Sequence, residues 1–282
     1  MAELLIGTSS FSAKGWVGSF YPKGTPPKEF LAYYVSRFKT VELDTTYYAI
    51  PAAETVRGWK ERTPPGFLFC AKMPRAITHE KLLVDCGAGL GEFLDTMSIL
   101  GEKLGPLVLQ FAYFNKSVFR SQKDFLTRLE PFLKILPGEF RFAVEIRNQE
   151  WVDENFLDLL RQYKIAFVLA DQSRMLRSWE YSSDLDFLTA DFAYVRLLGD
   201  RQSIEAQTQV WNRLIVDRDE ELRQWARVVE AILRRIRHVF LYANNHYQGY
   251  SPGTVEKVLK YLNQETPAAL PVSKDADQFR LF

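Results

Sequence analysis

Eight short apolar runs punctuate the chain, each closing on polar residues: 4–7, 40–44, 67–72, 107–111, 141–147, 166–171, 193–197 and 238–244. Runs of this length bounded by polar turns read as buried strands. The stretches between them read as helices. Segment 27–38 carries Phe30, Leu31, Tyr34, Val35 and Phe38 on one helical face, and further helices are predicted over 54–62, 90–104, 121–135, 153–163, 218–235 and 251–262. Ser121 with Asp124 fits a capping box, and Ser251 with Pro252 fits an N-cap followed by a first-turn proline. Segment 171–193 is polar and aromatic and reads as a long loop with a short helix over 184–188. Strand and helix alternating eight times predict a single-domain eight-stranded parallel β/α barrel over 1–282, with 266–282 as a tail on its exterior.

In such barrels the carboxyl ends of the strands build the site. Successive strand residues face opposite sides, so alternation sorts inward from outward positions. Phe142, Val144 and Ile146 then face the helices, which leaves Ala143, Glu145 and Arg147 inward or at the rim. The same phase turns inward Glu42 and Asp44, Leu68, Cys70 and Lys72, Val108 and Gln110, Tyr194 and Arg196, and Tyr242 and Asn244. Ionisable side chains gathered at one end of a closed barrel are costly to desolvate and must pair with each other, with water or with a ligand.

Composition narrows the classes. The formal charge is +1 from 36 basic and 35 acidic residues, so no global field steers the chain toward nucleic acid or an anionic membrane. No apolar run reaches the roughly 18 residues that span a bilayer, and the first residues lack a basic signal region, so a cytoplasmic protein is expected. The two cysteines, Cys70 in a strand and Cys86 in a loop, show no metal or redox spacing. The glycine-rich 82–91 mimics a nucleotide loop but sits inside a barrel connection, where its glycines serve a long loop leading into a helix near Leu90.

The polar strand ends fall within recognisable strings: Ile6-Gly7-Thr8-Ser9-Ser10-Phe11, Trp16 with Phe20-Tyr21-Pro22, Val41-Glu42-Leu43-Asp44-Thr45-Thr46-Tyr47-Tyr48, Glu145-Ile146-Arg147 with Trp151, Tyr194-Val195-Arg196-Leu197, and Asn244-Asn245. On these the chain resembles the YecE-like family of unknown function, and the resemblance spans almost the whole sequence. It implies a β/α barrel and supplies no reaction. Three positions depart from the usual family pattern: Asp44 where asparagine is common, and Asn148 and Leu198 where histidine is common. Two proton carriers are thereby missing, which shifts the expectation toward carboxylates and cations.

The chemistry expected is that of a hydrolase or lyase acting on a small polar substrate bearing phosphate or carboxylate. Glu145 is the candidate proton carrier with Glu42 or Asp171 as partner, and Lys72, Arg147 and Arg196 clamp the anion. Gln110, Asn244, Asn245 and Asp44 supply hydrogen bonds, and Tyr47, Trp16, His79 and His246 complete the candidate binding set. The aromatics Trp16, Tyr47, Tyr48, Trp179 and Tyr247 also suit sugar-stacking walls for a two-carboxylate glycosidase. No cofactor is expected; one magnesium or manganese ion on Glu42, Asp44, Glu145 and Asp171 stays open, whereas three histidines are too few for a multinuclear zinc site. The competing class is a nucleic-acid-binding protein, suggested by the arginines of 213–237, although that segment also holds Asp217, Asp219, Glu220, Glu221 and Glu230.

Overall fold

The fold is taken from a computed structural model, which describes residues 2–263. The apolar runs become eight strands: β1 (Glu3–Thr8), β2 (Thr40–Leu43), β3 (Leu68–Lys72), β4 (Leu104–Gln110), β5 (Phe142–Glu145), β6 (Ala166–Gln172), β7 (Phe192–Gly199) and β8 (His238–Ala243). They form one parallel sheet in the order β1-β8-β7-β6-β5-β4-β3-β2, so consecutive strands are neighbours and the sheet curls into a barrel.

The remaining gap, between β1 and β2, is closed by a side chain. The hydroxyl of the fully buried Tyr34 accepts from Thr8 N at 2.9 Å and donates to Thr40 O at 3.2 Å, so it satisfies one backbone group from each strand. Gly7 makes this approach feasible, because a Cβ there would lie 2.2 Å from Thr40 O.

Alternation sorts the core into two layers. Leu5, Cys70, Val108, Ala143, Ala166, Val168, Ala170, Phe192, Tyr194, Phe240 and Tyr242 fill the barrel interior. The opposite strand faces pack against helices α1 (Phe30–Val35), α2 (Ala53–Glu61), α3 (Gly87–Ser98), α4 (Gln122–Lys134), α5 (Glu154–Gln162), α7 (Asp219–Leu233) and α9 (Ser251–Tyr261). Two short helices, α6 (Arg201–Glu205) and α8 (Asn245–Gln248), sit after β7 and β8 at the mouth.

Several expectations need correction. The helix expected over 27–38 starts as a 3-10 turn, Pro27–Glu29, and ends at Val35, after which the chain must turn into β2. The helix expected over 90–104 is shifted toward the N-terminus: Gly87, Gly89 and Gly91 lie inside α3, and Leu104 opens β4. Burial of Leu90, Phe93, Leu94 and Met97 overrides the low helix propensity of those glycines. No helix forms over 184–188; the loop is held instead by partly buried Tyr181, Leu185, Phe187 and Leu188 against the outer core. Ser121 caps α4 as read, accepting from Asp124 N at 3.2 Å, whereas α9 begins at Ser251 itself with Tyr250 at the N-cap position. The tail expected over 266–282 lies outside the described residues.

Candidate functional site

A cavity of about 950 Å³ opens at the carboxyl ends of the strands, where the barrel architecture puts its sites. Its floor is an ion cluster. Arg196 on β7 donates through Nη2 and Nε to Glu42 Oε1 at 2.7 and 3.2 Å, and through Nη1 to Glu145 Oε2. The second oxygen of Glu42 accepts from Tyr194 OH at 2.7 Å. Both carboxylates are fully enclosed, and the guanidinium is 1% exposed. Burial alone would raise the pKa of Glu145, but the charges of Arg196, then Arg147 and Lys72, overcome this and hold it below the ordinary glutamate range.

Above the floor, Lys72 at the end of β3 pairs with Asp44 at 2.9 Å, donates to Gln110 Oε1 at 3.4 Å and lies 5.5 Å from the Tyr47 ring centroid. Asp44 also lies 3.5 Å from Arg196. Arg147, whose side chain is 35% exposed, makes only long contacts of 3.4 Å to Glu145. Arg174 follows β6 and has no ion-pair partner among the described residues, whereas Arg201 on α6 bonds Glu205 at 2.8 Å. Apart from the buried Arg196, the lining carries Lys72, Arg147, Arg174 and Arg201 against Asp44 and Asp200, an excess of positive charge facing the solvent.

His79 rises from an unusual backbone. It lies in a π-helical turn, Ala76–Glu80, closed by Lys81 N donating to Ala76 O, and the chain continues through Leu82, Leu83 and Asp85 with φ of 49°, 68° and 50°. Non-glycine residues in the left-handed region cost free energy, which here is offset by burying Ile77, Leu83 and Cys86. Nδ1 of His79 bonds Thr78 Oγ1 at 2.8 Å, and Nε2 has no hydrogen-bond partner among the described residues. Burial, then the charges of Arg147, Arg75 and Lys72, lower its pKa, so the half-buried imidazole is neutral near pH 7. On the opposite rim His246 places Nδ1 2.7 Å from Asn244 Oδ1 and Nε2 3.1 Å from Glu205 Oε1, tying α8 to α6.

The cavity gathers Lys72, Arg147, Arg196, Gln110, Asn244, Asp44, Tyr47, His79 and His246 of the expected residues. Glu42 and Glu145 form its floor without lining it. Three others point elsewhere. Asp171 is on the outer face of β6, where it accepts from Trp225 Nε1 and Tyr247 OH at 2.8 Å each and from Arg177 Nε at 3.2 Å. The inward phase of β6 belongs to Ala166, Val168 and Ala170, which excludes Asp171 from a partnership with Glu145 across the cavity. Trp16 is buried against Phe20 and Tyr21, and Asn245 Oδ1 accepts from Ser251 N and Oγ to hold the start of α9. Of the aromatic walls, Tyr47 and Tyr48 line the cavity; Tyr247 is buried on Asp171, and Trp179 packs on Trp225. Asn148, where a proton carrier is missing, bridges the backbone of Phe114 through both amide atoms.

Of the carboxylates considered for a metal, Glu42, Asp44 and Glu145 gather around the Arg196 guanidinium and Asp171 points away, and no group of three or more His, Cys, Asp or Glu among the described residues is placed to hold an ion. Sequence reasoning missed Tyr113, Gln172, Arg174, Asp200, Arg201 and Gln202. Gln172 closes β6 in phase with Ala166, Val168 and Ala170 and could have been counted; the others follow within a few residues of strand ends, where strand alternation says nothing.

A parallel eight-stranded β/α barrel with a cation-rich mouth defines the class of this molecule. The chain belongs to the family described as Protein of unknown function DUF72, which matches residues 5–278. It is 38% identical over 118 residues to the UPF0759 protein YecE of Escherichia coli strain K12, covering 42% of this chain and 41% of that protein. Against the UPF0759 protein YunF of Bacillus subtilis strain 168 it is 28% identical over 147 residues, half of each chain. The matched stretches thus span half the length of these relatives or less. A crystal structure of a DUF72 family protein from Thermotoga maritima superposes with a TM-score of 0.74 at 28% identity, covering 93% of this chain and 99% of that one. One from Enterococcus faecalis gives 0.70 at 22% identity over 95% and 98%, a likeness of fold. Among the described residues no helix is long and apolar enough to cross a membrane.

Proposed function

We propose that the barrel mouth binds a small substrate bearing phosphate or carboxylate and that His79 moves a proton on it, in hydrolase or lyase chemistry. The observation that carries this reading is a separation of charge. Glu42 and Glu145 are enclosed behind Arg196, while Lys72, Arg147, Arg174 and Arg201 reach the cavity. Arg196 is saturated by two carboxylates, so its role is to hold the floor, and the anion falls to the cations above it. Guanidinium groups suit this, since their planar forks match phosphate and carboxylate oxygens.

The proton-transfer role moves from Glu145 to His79. A general acid or base must reach the substrate and hold its proton near the working pH. Glu145 is held ionised and lies out of reach, whereas His79 faces the cavity with Nε2 unpartnered among the described residues. A nucleic-acid role is weakened along 213–237, where Arg218, Arg223 and Arg235 lie near Glu221, Glu220 and Asp186.

Calorimetric titration with inorganic phosphate tests the reading. Binding that Arg174→Ala and Arg147→Ala each weaken about tenfold or more supports it, and charge-assisted bonds of this kind contribute roughly 1.5–3 kcal/mol. His79→Gln is expected to keep binding and lose turnover once a substrate is known. No phosphate or carboxylate binding in the unmodified protein refutes the assignment.

A further inference from the structure

The cavity wall is divided by side-chain character in a way that anion binding alone leaves unexplained. Since spatial order follows chain order, residues after β2 to β4 form one arc of the mouth and those after β5 to β7 form the facing arc. The first arc carries the rings Tyr47, Tyr48, His79 and Tyr113, and its one cation, Lys72, is paired with Asp44. The second is cationic: Arg147, Arg174 and Arg201. Tyr48 is 70% and Tyr113 53% exposed, so both rings are open to a ligand in the cavity. Tyr48 is braced edge-on by Tyr47, with centroids 5.1 Å apart at 87°, and Tyr47 in turn by His79 at 5.2 Å and 86°. This bracing leaves a face of Tyr48 open. A cavity of about 950 Å³ is also far larger than an inorganic anion needs.

Neutral amides lie along the same wall. Asn244, Gln172 and Gln202 line the cavity.

We infer that the ligand is a nucleoside phosphate, its base against Tyr48 or Tyr113 and its phosphate on the arginine arc. This rests on the anion-binding reading and deepens it. A flat heteroaromatic ring uses an exposed tyrosine face, and the charged end uses the guanidinium groups. A sugar phosphate uses only the second and leaves the aromatic arc idle.

The test compares adenosine 5′-monophosphate, ribose 5-phosphate and inorganic phosphate by calorimetry on the full chain, with the Tyr48→Ala/Tyr113→Ala double variant and its Phe counterpart. Base stacking on an aromatic ring is strong enough that the nucleotide is expected to bind about tenfold or more tighter than ribose 5-phosphate. The alanine double variant should erase that advantage while leaving ribose 5-phosphate affinity and the unfolding temperature unchanged, and the phenylalanine pair should retain it. Equal affinities for nucleotide and sugar phosphate in the unmodified protein overturn the inference and leave anion binding intact. So does a double variant that keeps the nucleotide advantage, or one that weakens both ligands equally. Failure of all three ligands to bind removes the anion reading itself.

Discussion

Replacing Arg196 with methionine is the perturbation that most directly questions the ion cluster at the barrel floor. The substitution keeps much of the side chain's length and removes its charge, which strands Glu42 and Glu145 with no exposed surface. Breaking a buried pair by deleting one partner costs about 3–5 kcal/mol, because the carboxylates are left unsolvated with only the 3.4 Å contact of Arg147 to Glu145 and the Tyr194 hydroxyl on Glu42. Unfolding entropy of about 2 cal/mol/K per residue gives roughly 0.6 kcal/mol/K for 282 residues, so the midpoint should fall by about 5–8 °C. The assay is thermal unfolding at pH 7 and again near pH 4.5, where the sign of the linkage separates this cause from simple loss of packing. In the unmodified protein Glu145 has a depressed folded pKa, so its contribution is present above the unfolded value of about 4.3 and is lost as pH falls through the folded value. Without Arg196, the largest charge opposing burial at Glu145 is gone and its carboxyl takes up a proton more readily, so the deficit should shrink on acidification. Adding Glu42→Gln and Glu145→Gln to the methionine variant should recover most of the loss at pH 7. A deficit under about 1 kcal/mol at pH 7, or one that stays constant with pH, refutes the account.

Other outcomes follow from single contacts. Tyr34→Phe leaves Thr8 N and Thr40 O facing a ring edge at the β1–β2 seam and should cost about 1–3 kcal/mol in urea unfolding; a smaller change means that the seam closes without the hydroxyl. Asp171→Asn turns an amide toward donors on Trp225, Tyr247 and Arg177, and should destabilise by about 2–3 kcal/mol while weakening phosphate binding through the loop that carries Arg174. Unchanged binding would show that Arg174 is positioned independently of Asp171. NMR titration of His79 should give a pKa below the ordinary histidine value of about 6.5, because burial and the neighbouring Arg147, Arg75 and Lys72 disfavour its charged form. Stability linked to His79 is then lost as pH falls from about 6.5 through the folded value, and a titration at or above 6.5 contradicts the described surroundings.

How much of the site was readable depended on where each residue sits. Glu42, Glu145 and Arg196 occupy strands whose inward phase is set by apolar neighbours such as Val144 and Val195, so their convergence could be read by counting alternate positions. Asp171 shows where counting was not applied, since Ala166, Val168 and Ala170 already claimed the inward phase of β6. Tyr113, Arg174 and Arg201 stand in loops or a short helix, whose directions are fixed by long-range contacts such as Arg177 with Asp171 and His246 with Glu205.

The sequence by itself determined the barrel, because period-two strands alternating with amphipathic helices have few ways to bury their apolar faces. It also determined which strand residues meet inside, because the pleat enforces the alternation locally. Only the tertiary structure decided how the charges divide between floor and mouth. That division depends on distances between strands far apart in the chain, such as the 2.7 Å from Arg196 to Glu42, and on which carboxylate water can reach. Burial and pairing set protonation, and neither is a property of any local stretch of sequence.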